Sequence, residues 1–141
     1  MNWSVVEAIG DLNEIKGLEH LYEALTDKEE IVRGYAAEGI GKIGKAASIP
    51  ILEKYLKYET SSLSKLGFFV GLGERKYLRL MLDLLKDPSY RVRCAVANSV
   101  VDLLNQENVY LIKQSLLFAL KNEQTDAACS SLQGALEEIN S

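Results

Sequence analysis

The sequence predicts an all-α protein, a short right-handed α-solenoid of about four stacked antiparallel helix pairs, and three observations carry that prediction. Segments return along the chain at intervals of about 30 to 35 residues, the period of helical repeat arrays. Apolar residues within each segment fall at i, i+3, i+4 and i+7, the spacing that lines one face of a helix. Neither a period-2 alternation nor an Asn-Gly or Asp-Gly turn appears, so strands are not expected.

The repeat is read from three offsets. At 31 residues, Glu7, Ile9-Gly10 and Leu12 return as Glu38, Ile40-Gly41 and Ile43, while Leu18, Leu21 and Leu25 return as Ile49, Leu52 and Leu56. At 60 residues, Asp27, Val32, Arg33, Ala37 and Ile40 return as Asp87, Val92, Arg93, Ala97 and Val100. At 35 residues, Leu82, Leu85, Asp87, Cys94 and Val101 return as Leu117, Leu120, Asn122, Cys129 and Leu136.

Each unit divides into two helices. Leu18, Leu21, Tyr22 and Leu25 line one face of a first helix, and Val32, Ala36, Ile40 and Ile43 do the same for a second. Nine helices are expected, at approximately 3–13, 16–26, 28–43, 49–58, 62–72, 75–86, 88–104, 107–121 and 125–139. Ser4 with Glu7 forms a capping box for the first of these, Asp27 with Glu30 and Asp87 with Pro88 mark later starts, and Gly44 and Gly73 stand where second helices should stop. The opening helix is half a repeat, and its Trp3 and Val6 are expected to close the apolar end of the stack.

Length and composition fit this plan. The 141 residues, 48% hydrophobic and 26% charged, suit one domain spanning 1–141. Pro50 and Pro88 are the only prolines, and no linker-like stretch interrupts the chain. No apolar run approaches the roughly 20 residues of a membrane span. The start Met1-Asn2-Trp3-Ser4 lacks the basic region and apolar run of a secretory signal, so a cytoplasmic location is expected and a membrane partner is not. A formal charge of −4 disfavours nucleic acid, because phosphate binding rests on Lys and Arg, and favours a basic protein partner.

Ordinary routes to catalysis are missing. No GxxxxGK[ST], GxGxxG, GxSxG or HExxH motif occurs, so no catalytic residue is assigned. His20 is the only histidine and reads as an ordinary helical residue, and Cys94 and Cys129 lack CxxC spacing, so no metal site and no cofactor are expected. The two cysteines occupy matching repeat positions, where helix axes about 8 to 10 Å apart keep them from bridging, and two free thiols are expected.

Leu25-Thr26-Asp27 through Val32-Arg33 to Ile40-Gly41-Lys42-Ile43-Gly44, and again Leu85-Lys86-Asp87-Pro88 through Val92-Arg93 to Val100, resemble the HEAT family. The short HEAT-like repeats named after phycobilisome lyases are the particular likeness, and it covers nearly the whole chain. The resemblance implies the solenoid architecture and, for function, a scaffold or binding module rather than one activity. Asp27 with Arg33 and Asp87 with Arg93 are expected to form a structural ladder, within a unit or with its neighbour. The middle unit, 49–73, departs from the pattern, since Tyr58 and Ser64 stand where its Asp and Arg belong and it carries Tyr55, Phe68 and Phe69.

If Val32, Ala36, Ile40 and Ile43 face the core, Tyr35, Glu38 and Lys42 face outward on the concave surface that second helices share. The offsets extend that row to Glu7 and Asp11 before it, and to Phe69, Asn98, Asp102, Gln133 and Glu137 after it. The row is acidic and polar around one aromatic, a composition suited to holding a basic protein. Small bacterial HEAT-like proteins include immunity proteins that neutralise a toxin domain, and this short acidic chain resembles one. The alternatives left open are a bilin lyase-like or other enzyme-assisting subunit with Cys94 or Cys129 as the reactive thiol, and a structural adaptor whose end repeats pair into a homodimer.

Overall fold

The computed structural model describes residues 17–73 and 75–141, with no side-chain description of Arg75. Eight α-helices run in chain order through them: α1 Leu18–Ala24, α2 Glu30–Ile43, α3 Ser48–Tyr58, α4 Ser62–Leu72, α5 Arg75–Asp83, α6 Tyr90–Val100, α7 Val109–Asn122 and α8 Asp126–Asn140. Single 3-10 turns follow α5 at Leu84–Lys86 and α6 at Val101–Leu103. No strand occurs among the described residues. The expected helix at 3–13, with its Ser4 cap and its Trp3 and Val6 closure, lies outside them, so eight helices stand where nine were expected. The fold is the all-α helix-pair array that the spacing predicts.

By its contacts the chain divides into two compact units, Met1–Tyr77 and Leu78–Ser141. In the first, the stripes expected of α1 and α2 meet as one core: Leu21, Leu25, Val32, Ala36 and Ile40 are buried, Leu52 of α3 and Phe68 of α4 join them, and Leu18, Tyr22 and Ile43 pack at the edge. Tyr22 and Ser48 tie α1 to α3 through a 2.6 Å hydroxyl–hydroxyl hydrogen bond. In the second unit, Leu85 precedes α6, whose Val92, Val96 and Val100 pack in a core shared with Ile112 and Leu116 of α7 and Leu132 of α8.

Helices α2 and α4 touch through backbone. A Cβ placed on Gly67 would fall on the Gly34 carbonyl, one on Gly41 on the Gly71 backbone, and one on Gly71 on the Ala37 carbonyl. Small residues one or two turns apart on both helices leave no side chain between the axes, so the backbones carry the contact. Gly44 (φ 74°) and Gly73 (φ 61°) end these two helices in the left-handed conformation, as expected of second-helix stops.

Candidate functional site

The turn before each second helix is built to one plan. The N-cap residues are Glu29, Ser61, Ser89 and Thr125, spaced 32, 28 and 36 residues apart. An acid stands two residues before each of them: Asp27, Glu59, Asp87 and Glu123. Each acid accepts the N-cap's own backbone N–H, at 2.9 Å for Asp27, 3.0 Å for Glu59, 3.0 Å for Asp87 and 3.0 Å for Glu123. The carboxylate thereby occupies a donor that the helix leaves unsatisfied and places negative charge at the positive end of the helix dipole. Asp27 and Asp87 are thus braces of the cap, and Glu29 and Ser89 hold the cap positions themselves.

Arg33 and Arg93, four residues beyond their N-caps, complete the arrangement. Arg33 forms a two-pronged ion pair with Glu59, 2.8 Å from Nε and 2.9 Å from Nη2, and its Nη1 donates to the carbonyl oxygens of Asp27 and Lys28. Arg93 repeats this with Glu123 at 2.8 and 3.0 Å and with the carbonyls of Asp87 and Pro88. The ladder therefore exists, but its anionic rungs are the glutamates of the following repeat, and the two aspartates contribute backbone oxygens to it. The glutamate side chains are only 5% and 3% exposed and their arginine partners 19% and 17%, so each pair is largely withdrawn from water.

Both glutamates titrate far from their ordinary range. Burial alone would raise Glu59, but hydrogen bonds from Arg33, the Ser61 N–H and the Ser64 hydroxyl outweigh it and hold the carboxyl at about 2. Glu123 is held at about 2 chiefly by its hydrogen bond from Arg93, against burial, with the Thr125 N–H and hydroxyl assisting. These groups are charged, paired and structural.

Aligning the repeats on their N-caps also corrects the middle unit, which keeps its acid as Glu59. The 31-residue offset places Tyr58 there because it falls one short of the 32 residues between caps. The same slip explains Phe69, expected as an exposed aromatic in the partner-binding row. Phe69 is buried, with its ring stacked on Tyr77 at 5.6 Å between centroids, and Val70 is the residue that matches Glu38.

Of the remaining row, Glu7 and Asp11 lie outside the described residues. Tyr35 and Lys42 are exposed on α2, with Glu38 half-buried between them. In the second unit Asn98 and Asp102 are exposed and line an open groove of about 580 Å³ between α6, with its 3-10 turn, and α8. Gln133 and Glu137 are exposed on α8 but line no part of it; Gly134 and Glu138 do. Here the 35-residue offset is one short of the 36 residues between caps. The floor is made by small residues, among them Ala97 and Ala135, and the polar lining comes from Asn98, Asp102, Ser130, Ser131 and Glu138. No lysine or arginine lines it.

A second hollow of about 620 Å³ lies elsewhere in the same unit, between the end of α5 with its 3-10 turn and the C-terminal half of α7. Sequence reasoning missed it, although Phe118 on a helix face otherwise made of Gln114 and Lys121 was a visible signal. His20 is exposed on α1, and Cys94 and Cys129 are half-buried free thiols. Among the described residues no group of His, Cys, Asp and Glu is arranged to hold a metal ion, and no helix is long and apolar enough to cross a membrane.

Comparison with known proteins agrees with this architecture. A family model for HEAT repeats matches residues 2–68, and a second, for the HEAT repeat, matches residues 78–106. No curated protein matches the chain. HEAT repeats are commonly scaffolds for protein interaction and are generally non-catalytic. The two matches cover both units, the helix pairs and cap turns recur within each, and the chain belongs to the HEAT repeat family.

Proposed function

We propose that this protein is a binding module that holds a basic protein segment in the groove between α6 and α8. One observation supports this above the others: two carboxylates, Asp102 and Glu138, line that groove with an amide and two serine hydroxyls, and no cation lines it to neutralise them. Such a lining attracts Lys and Arg and speeds their approach, and the small residues of its floor let a partner's backbone come close. The formal charge of −4 acts in the same direction. A toxin-neutralising immunity protein is the biological form that this reading favours.

The test is charge reversal. Asp102→Lys with Glu138→Lys alters two exposed side chains, so the helical circular dichroism and melting temperature should stay unchanged. Pull-down of the adjacent gene's basic product should weaken at least tenfold in this variant, and wild-type binding should fall steeply between 50 and 300 mM salt. Binding that ignores both salt and charge reversal would eliminate the acidic groove as the contact.

A further inference from the structure

The hollow between α5 and α7 carries an inference independent of the acidic groove, since no residue lines both. Its meaning emerges when α7 is aligned with α3 on the N-caps of the second helices that follow them, Thr125 and Ser61. Leu116 and Leu52, nine residues before Thr125 and Ser61, are both buried, and Ile112 and Ser48, thirteen residues before them, are buried too. The two helices therefore present matching faces to their own cores. At the next three positions they diverge. In α3, Glu53 and Lys54 are exposed and Tyr55 packs against the core cluster that holds Leu21 and Leu25. In α7, Leu117 and Phe118 are 41% and 61% exposed, while Ala119 lines the hollow. The first unit puts charge outside and an aromatic ring inside; the second puts an aromatic ring outside and a methyl group inside. The missing ring leaves a cleft over Leu82 and Leu85, with Phe118 at its lip.

We infer that this cleft is a docking site for a short amphipathic helix of a partner protein, whose large aliphatic or aromatic side chains occupy the space that Tyr55 fills in the first unit. Three considerations fix the occupant. Of the large apolar side chains exposed along α7, Tyr110, Leu117 and Phe118, only Phe118 lines the cleft, presenting about 120 Å² against about 800 Å² per partner in a stable interface. That area is too small for a second copy of this chain and fits two or three turns of helix. From Gln114 to Asn122 the cleft follows α7 for about 12 Å, two turns. The charges in its lining are mixed, with Asp83 and Lys86 exposed and Arg93 closed on Glu123, so apolar anchors rather than net charge select the partner. No strand edge is available there for an extended peptide to pair with, and anchoring by side chains along a helix matches the cleft's course beside α7.

The experiment pans a phage-displayed library of helix-forming peptides of about 14 residues, the length of two to three turns with flanks, on the full chain. Counter-selection uses the chain carrying Phe118→Lys and Ala119→Tyr, the residues of the first unit. Enriched peptides should carry large apolar residues at i, i+3 or i+4, and i+7, and a fluorescein-labelled representative should bind at least tenfold more weakly to each single variant. Phe118→Lys changes an exposed side chain and retains the fold, so it decides the matter even if Ala119→Tyr perturbs packing. The proposal is overturned if no peptide is enriched, if enriched peptides bind Phe118→Lys as tightly as wild type, or if their footprint falls on Asp102 and Glu138. It is also overturned if sedimentation shows a dimer that Phe118→Lys dissociates, since the occupant is then a second copy.

Discussion

The two units carry the same turn and the same buried ion pair, yet they join their second helices differently. In the first, α2 and α4 meet backbone to backbone through Gly34, Gly41, Gly67 and Gly71. In the second, α6 carries Cys94 and its 3-10 turn Val101 where α2 has Gly34 and Gly41, and α8 carries Ser131 and Ala135 where α4 has Gly67 and Gly71. Side chains therefore separate the axes, and the open groove of the second unit lies along that seam. The contrast teaches that close approach of second helices and surface concavity are alternatives: a seam closed by glycine leaves no room for a partner, and one spaced by side chains does.

The sharpest way to break the contrast is to force the closed seam apart. Gly67→Val should destabilise the protein by about 3 kcal/mol or more, since its Cβ collides with the Gly34 backbone and no rotamer relieves it. Thermal melting followed by circular dichroism would show a drop of many degrees, and an unchanged melting temperature would mean that the helices are not in backbone contact. Gly134→Ala in the second unit meets nothing within 4 Å, and helix propensity should make it stabilising by about 0.5 to 1 kcal/mol.

Between these extremes lie the shared ion pairs. Glu123→Gln keeps the shape and removes the charge that faces Arg93 in a site largely withdrawn from water, at an expected cost of about 3 kcal/mol. Glu59→Gln should cost a similar amount, with the Ser64 hydroxyl losing its charged acceptor as well. A double-mutant cycle with Arg93→Leu measures the coupling directly, and a coupling near zero would show the pair to be incidental.

The same residues set the response to acid. A glutamate in the unfolded chain titrates at about 4.3, and both buried glutamates are held at about 2 in the fold. Their stabilisation is therefore complete above about pH 4.3 and disappears as the pH falls toward 2. Urea midpoints should decline across that window in the wild type, and the decline should be shallower in Glu123→Gln, which has one fewer such proton to take up.

The helices and cores were legible in the sequence because period and burial are local: the stripes of α1 and α2 appear in the structure as they read in the chain. The register between repeats was legible only to within one residue. Fixed offsets of 31 and 35 residues cannot follow caps that are 32 and 36 apart, and a one-residue slip turns a helix by 100°. That slip exchanged Val70 for Phe69, Gly134 for Gln133 and Glu138 for Glu137, and it hid Glu59 behind Tyr58. A local signal was present in Glu59-Thr60-Ser61 and Glu123-Gln124-Thr125, an acid two residues before a capping hydroxyl, and Asp87-Pro88-Ser89 has the same spacing with Ser89 at the N-cap but no side-chain cap bond. The hollow beside Ala119 was signalled only by Phe118 on a polar helix face, and its walls were illegible because a cleft is a relation among residues from separate helices.

The acid of each turn is gauged against the start of its helix and is indifferent to the number of residues that came before. Within each unit, two second helices clamped in this way tolerate an intervening first helix of either length without losing their alignment. Added turns or shortened loops in that first helix are then nearly free to reshape one face of the unit while the clamped pair keeps its geometry.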